Sequence, residues 1–369
     1  MEPEHDPLAF AQLLLSLLDE GRRTATYKLA VLLALVDACT RSSDELGRAP
    51  RAVPTRDVAR RVVDLYWRQV RPSGLVEGAV LRQSSQPHAV TVDAVAELRR
   101  QAEMAGASTF DAAETLAAEA TERCLDIVEL NLVRMPLGKL QRPSSFDAKA
   151  NLDYPRFLYD DAPFHEGLTR RDLDRRPLAV ELRPGVADWL VSLSGLLRPL
   201  IELHWTRQVA QFNRVTLAED GLREFLFGTQ RVGLQRVRAG LLDAQDGRCF
   251  YCGRAPALHE MAIDHFVPWS RVPNDGLSNL VLADARCNGS KSDNYPDLDL
   301  LQRWANRPRE VLAETAERAD WPLRIDASLA IARGLYTHLP IGSRLWSEHG
   351  VFTLLDHERL SDVMPSLQP

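Results

Sequence analysis

The stretch RCFYCGRAPALHEMAIDHFVPWSRVPNDGLSNLVLADARCNGSKSDNYP, residues 248–296, decides the reading of this chain. It carries three of the five cysteines, and inside an apolar run it sets an acid beside a histidine, Asp264-His265. Burying these two without partners costs on the order of several kcal/mol, so they must face something. MAIDH reads as a short strand. The loop after it is broken by Pro and Gly, NLVLA reads as a second strand, and DARCNGSKSDN reads as a helix, which together make a ββα unit. Adjacent residues on a strand point to opposite faces. Asp264 is therefore expected to face a cation held between strand and helix, and His265 a water on the other side.

The cysteines flank that unit. Cys249 and Cys252 form a C-x-x-C, whose tight turn can aim two thiolates at one tetrahedral zinc. A third thiol, Cys287, opens the helix, and three clustered cysteines favour metal over redox chemistry. Zinc takes a fourth ligand. Asp284, three residues before Cys287, repeats the spacing of the first pair and is preferred to His259. A zinc here would staple a segment too small to build its own core.

The residues Asp264-His265, Pro268, Asn279-Leu280, Cys287-Asn288 and Lys291, with the C-x-x-C ahead of them, resemble the HNH (ββα-metal) nuclease family over about fifty residues. The run NGSKSDNYP is also similar to the helix and exit of the HNH domain in the RNA-guided CRISPR nucleases. The resemblance implies roles. His265 would be the general base that takes a proton from the attacking water. Asp264 and Asn288 would ligate one divalent ion, and hard oxygen donors imply Mg²⁺ or Mn²⁺. Asn279 would hold His265 in orientation through its side chain or the local backbone, and Lys291 would lie near the phosphate. The products would be a 3′-hydroxyl and a 5′-phosphate. Two features depart from the family pattern. Asn288 stands where a second histidine is common, and the second C-x-x-C is reduced to Asp284…Cys287.

Outward from this segment the chain reads as helical. With 369 residues, 45% hydrophobic and 26% charged, it has the balance of a globular protein with a sizeable core. PLAFAQLLLSLLDEG, TATYKLAVLLALVDACT and PTRDVARRVVDLYWRQVRP are expected helices. In the third, Thr55 is the expected N-cap and Val58, Val62, Val63 and Tyr66 the buried stripe. GLVEGAVLRQSSQPHAV could hold two short strands. Three helices and a hairpin near 24–90 would suit a winged helix with Arg56, Arg60, Arg61 and Arg68 on DNA, but a helical scaffold with solvated arginines is the favoured reading. LDIVELNLVRMPLGKLQRP reads as β-like, and residues 143–183 as a packed irregular loop. Pro199 is expected to kink or break the helix in GVADWLVSLSGLLRPLIELHWTRQVAQFNRV. The tail beyond 296 is expected to be helical throughout, GSRLWSEHGVFTLL included.

The fold class expected is thus α+β, predominantly α-helical. A large helical N-terminal region (1–240) would precede a small zinc-stapled ββα-metal module (241–300) and a helical C-terminal segment (301–369) packed on the body. Cys39 and Cys124 read as buried thiols, and His165 and His204 as structural.

Net charge is −6, which excludes a purely electrostatic nucleic-acid binder, so DNA contact must be local. The basic residues are almost all arginine, with lysines only at Lys28, Lys139, Lys149 and Lys291. The N-terminus is acidic where a signal peptide would be basic, and its apolar run is too short to span a bilayer. A cytoplasmic bacterial protein is expected, with DNA as partner, a protein partner or homodimer as a further expectation, and no membrane. Three functions remain open at this stage: a restriction or anti-phage endonuclease, a nuclease of repair, recombination or mobile elements, and a zinc-stapled nucleic-acid-binding protein without catalysis.

Overall fold

The computed structural model describes residues 6–19, 24–73, 80–86, 88–142, 156–214, 219–228 and 231–368. The chain forms two units. The first comprises residues 1–38, 50–190 and 196–228, and the second residues 39–49, 191–195 and 229–369.

The first unit is helical: α1 (Pro7–Asp19), α2 (Tyr27–Arg41, whose end enters the second unit), α3 (Thr55–Gln69), α4 (Val90–Met104), α5 (Phe110–Leu116), α6 (Ala118–Arg134), α7 (Pro136–Lys139), α8 (Arg170–Arg175), α9 (Val186–Ser192, whose end belongs to the second unit), α10 (Ser194–Asn213, whose first two residues belong to the second unit) and α11 (Glu219–Phe227). Among its described residues β1 (Ala52–Pro54) pairs with β2 (Ala179–Glu181), antiparallel, with Val53 opposite Val180. Helix α2 is apolar all round and is accordingly buried from Leu29 to Val36. The α3 stripe Val58, Val62, Val63 and Tyr66 is fully buried and packs with α6 and α4. Each such side chain contributes roughly 1.5–3 kcal/mol by leaving water.

Several local expectations are corrected. Pro54, not Thr55, is the N-cap of α3, and Thr55 instead donates its hydroxyl to Glu129 Oε1 at 2.7 Å. The 125–134 stretch is the second half of α6 rather than β-like. Leu125, Val128 and Leu132 are buried at helical spacing while Ile127 faces outward. The break near Pro199 falls earlier, at Leu193. Pro199 sits inside α10, close enough to its start that only one early hydrogen bond is lost. The hairpin expected at 74–90 lies partly outside the described residues. Within them, residues 80–86 make only isolated bridges, Pro72 to Val80 and Ala25 to Ser84. The α3 arginines are engaged within the unit: Arg56 with Glu122, Asp126 and Glu129, Arg60 with Glu114, Arg61 with Asp37 and Asp64, and Arg68 with the Gly228 carbonyl. Cys39 and Cys124 are buried free thiols, as expected.

The second unit contains α12 (Arg231–Ala244), β3 (Met261–His265), β4 (Leu280–Asp284), α13 (Ala285–Lys291), α14 (Leu298–Ala305), α15 (Arg309–Ala319), α16 (Ile325–Thr337), β5 (Arg344–Glu348), β6 (Val351–Leu354) and α17 (His357–Val363). β3 and β4 pair antiparallel, with Ile263 opposite Leu282 and His265 opposite Leu280. The face bearing Met261, Ile263, Leu280 and Leu282 is covered by Leu234, Val237 and Leu241 of α12 and by Ala316 of α15. The opposite face meets α13. The tail departs from the all-helical expectation at 344–354, where β5 and β6 form a hairpin that turns at Gly350 with φ +78°. No helix among the described residues is long and apolar enough to cross a membrane.

Candidate active site

Strand alternation sends Asp264 and His265 to opposite faces of β3. Asp264 faces α13. Its Oδ2 lies 3.0 Å from Lys291 Nζ and receives the Tyr251 hydroxyl at 2.6 Å. The same Lys291 ammonium donates to the His265 carbonyl at 2.8 Å, so one buried cation ties together the side chain of the acid and the backbone of the histidine. Lys291 has no solvent exposure. The resemblance placed it near the phosphate; its ammonium is instead buried and engaged by Asp264 and the His265 carbonyl. Burial, and after it the adjacent Asp264 charge, pushes the Tyr251 hydroxyl well above its ordinary value, so it remains a donor.

His265 faces the loop between the strands. Its Nε2 is 2.8 Å from Asp275 Oδ1. The Asp275 carboxylate thus engages Nε2 and not Nδ1. The Trp269 ring lies against the imidazole, centroids 5.2 Å apart. Asn279 does not touch the imidazole. Its Oδ1 accepts from Val267 N–H at 2.9 Å, its Nδ2 donates to the carbonyls of Val267 (3.1 Å) and Asn274 (3.0 Å), and its own carbonyl accepts from Phe266 N–H. It therefore shapes the backbone on both sides of the loop that carries Asp275, which is the backbone route to orienting His265. Arg307, half-buried and with its guanidinium lowered to about 9 by desolvation, supports the same turn through the carbonyls of Ser278 and Leu280.

Asn288 lies on α13, half-buried, and its amide has no hydrogen bond to the described residues. The Asp264 carboxylate likewise keeps Oδ1 clear of protein donors, while Oδ2 is taken by Lys291 and Tyr251. A carboxylate and an amide oxygen are hard donors, the chemistry that suits Mg²⁺ or Mn²⁺.

The three cysteines converge. The sulfurs of Cys249, Cys252 and Cys287 lie within 4.8 Å of one another. The turn that brings the first two together closes with Cys249 N–H on the Arg254 carbonyl and Gly253 N–H on the Cys249 carbonyl, and it needs Gly253 at φ +70°. Burial and the charge of the neighbouring sulfurs push the Cys287 thiol up to about 12. Burial also opposes ionisation of Cys252, but hydrogen bonds from Arg254 outweigh it and hold that thiol below its ordinary value. A cation at this point would relieve the mutual repulsion of three thiolates. Asp284 is set apart from the sulfurs. It caps α13, accepting from Arg286 N–H at 2.8 Å, and lies 3.4 Å from Arg254. His259 is in an exposed 3₁₀ turn and is not part of the sulfur group.

Tyr251 and Asp275 are the site residues that sequence reasoning missed. Tyr251 sits inside the C-x-x-C, and Asp275 sits in a PNDG run that reads as an ordinary turn.

Comparison with known proteins defines the class of this site. Residues 249–297 match the family model described as HNH endonuclease, so this segment is similar to that family. A stretch of 78 residues is 31% identical to the CRISPR-associated endonuclease Cas9 of Listeria innocua, covering 20% of this chain and 6% of that protein. The chain thus spans only a small part of that relative. Residues 8–225, more than half of the chain, match the model described as a domain of unknown function (DUF8808), and the chain belongs to that family. No solved structure matches it.

Proposed function

We propose that the protein is a metal-dependent endonuclease that hydrolyses DNA phosphodiester bonds, leaving 3′-hydroxyl and 5′-phosphate ends, and that it acts in restriction or anti-phage defence in the bacterial cytoplasm. The observation that carries the chemistry is the arrangement around β3: a histidine hydrogen-bonded to Asp275 on one face, and on the other Asp264 facing α13, the helix that also bears Asn288. The defence role rests on the likeness to a CRISPR-associated endonuclease.

In this reading Asp275 accepts a hydrogen bond from the Nε2–H of His265, fixing the tautomer. Nδ1 takes a proton from the attacking water, and Asp275 stabilises the imidazolium that results. Lys291 holds Asp264 in place and anchors the His265 carbonyl, while Asn279 fixes the loop that presents Asp275. A Mg²⁺ or Mn²⁺ ion held by Asp264 and Asn288 supplies charge stabilisation for the phosphate and the leaving 3′ oxygen.

The direct test is plasmid cleavage by the purified chain. Supercoiled DNA is expected to be nicked or linearised with Mg²⁺ or Mn²⁺ and untouched in EDTA. Protein that stays inert with both metals on unmodified, modified and single-stranded DNA would sink the reading.

Cys249, Cys252 and Cys287 are proposed to hold a structural Zn²⁺. Metal analysis of protein purified without chelator should then give about one zinc per chain. Cys287→Ser should lose it and unfold at a lower temperature, because binding free energy at such a site is folding free energy. An unchanged melting temperature and no zinc in the parent protein would count against it.

A further inference from the structure

A second polar site lies in the same unit. A cavity of about 250 Å³ is lined by Arg271, Arg344, His338, Ser194, Ser343 and Tyr295, among others, and none of its lining residues is acidic. Arg271 lies on the β3–β4 loop, four residues before Asp275. Its guanidinium sits 5.3 Å over the Tyr295 ring and is pressed against Gly195, where any Cβ would overlap Nη1. Arg344 opens β5, is exposed, and stacks 4.1 Å over Phe352, with no ion pair to a described residue. His338 Nδ1 lies 2.7 Å from the Gly334 carbonyl. Ser194 and Gly195 begin the 20-residue helix α10, whose first N–H groups carry the positive end of its dipole.

In a chain of net charge −6, two arginines, a histidine, four hydroxyls and a helix start around an acid-free hollow are the donors that a compact anion needs. The volume is below the roughly 300–1,000 Å³ of pockets that enclose drug-sized ligands. It suits a phosphate group with part of its ester. Arginine's planar fork matches phosphate geometry.

We propose that this cavity is a phosphate-binding site, with Arg271 and Arg344 as its principal donors. Its occupant is a phosphate ester, supplied either by the backbone of a bound DNA strand or by a free nucleotide. In the backbone case the inference rests on the nuclease reading: Arg271 and Asp275 share one loop, so a phosphate held here would fix the strand relative to His265.

The test uses the full chain in a phosphate-free buffer without chelator and without added Mg²⁺ or Mn²⁺, so that binding is read without cleavage. The probes are inorganic phosphate and AMP, followed by thermal shift, and a fluorescein-labelled 20-base-pair duplex, followed by anisotropy across a salt series. Arg344→Ala removes an exposed side chain and should melt like the parent without ligand. Gly195→Ala displaces the Arg271 guanidinium without deleting it.

Phosphate and AMP are expected to raise the melting temperature of the parent, and both variants should lose most of that rise. If the backbone is the source, Arg344→Ala also binds the duplex about 5–10-fold more weakly, and the slope of log K against log salt falls by about one. If a free nucleotide is the source, the AMP response is lost while duplex binding stays as in the parent. A parent blind to phosphate and AMP, with duplex affinity and salt slope unchanged in both variants, overturns the proposal. An intact phosphate response in a protein that cuts nothing sinks the nuclease reading alone.

Discussion

His265→Ala is expected to lower the plasmid-cleavage rate about 10²–10⁴-fold, the range for removing a positioned general base. Duplex binding and folding should stay near those of the parent. The side chain is a terminal group of the site, whose strong contacts are the single hydrogen bond to Asp275 and the ring contact with Trp269. Asp275→Ala should give a smaller loss of about 10–100-fold, typical of a group that orients a reactive neighbour. That loss should fall on kcat with KM unchanged, because Asp275 is proposed to act through the imidazole and not on the nucleic acid. Asp275→Glu should recover part of it. A full-rate Asp275→Ala enzyme would mean that the 2.8 Å contact orients nothing that matters. A full-rate His265→Ala enzyme would remove His265 as the base.

The second large effect is on stability. Lys291→Ala should cost about 3–5 kcal/mol, the usual penalty for breaking a buried ion pair from one side. The ammonium is fully buried, 3.0 Å from Asp264 Oδ2 and 2.8 Å from the His265 carbonyl. Its removal leaves a largely buried carboxylate with only the Tyr251 hydroxyl as partner. Lys291→Met keeps the volume and should show that the cost is charge rather than a cavity. Adding Asp264→Asn to Lys291→Met should restore much of the stability while leaving the site inactive, since the uncompensated charge is gone. Urea denaturation of the parent, Lys291→Met, Asp264→Asn and the double variant completes the cycle. A single-variant loss below about 1 kcal/mol, the scale of an exposed pair, would show that the pair is solvated in solution.

What the sequence reveals and what it hides follow from range. The ββα unit was legible because its signals are local: alternation through MAIDH and NLVLA, then a helix opened at Asp284. The three sulfurs were legible from spacing alone. Their neighbour Asp284 was drawn into the same pattern because a residue that caps a helix and one that ligates a metal can sit at the same place in a sequence. The misread stretches share a different cause. In LDIVELNLVR the β-branched residues suggested a strand, but Leu125, Val128 and Leu132 face the core at helical spacing and Ile127 does not. In SRLWSEHGVFTLL the deciding residue is Gly350, whose left-handed conformation turns the chain back on itself. Strands β1 and β2 are three residues each, joined across more than a hundred positions, and no window can pair them. The partners of the central pair were hidden for the same reason. The hydroxyl that reaches Asp264 comes from 13 positions away and the carboxylate that reaches His265 from 10, across loops whose course only folding sets.

The helix α12 has a practical consequence for anyone who would cut the nuclease out of this chain. The matched segment begins at Cys249, yet the apolar face of β3 and β4 is roofed by Leu234, Val237 and Leu241 from before it and by Ala316 from after it. The edge of β4 is held in the same way, since the Gln245 amide takes both the N–H and the carbonyl of Leu282 as a neighbouring strand would. A fragment trimmed to 249–297 would keep every residue of the chemistry and present a bare greasy sheet to water. It would clump rather than cut. The extent of any piece meant to stand alone is set by oil and not by the motif, and it must reach at least from the start of α12 through the end of α15.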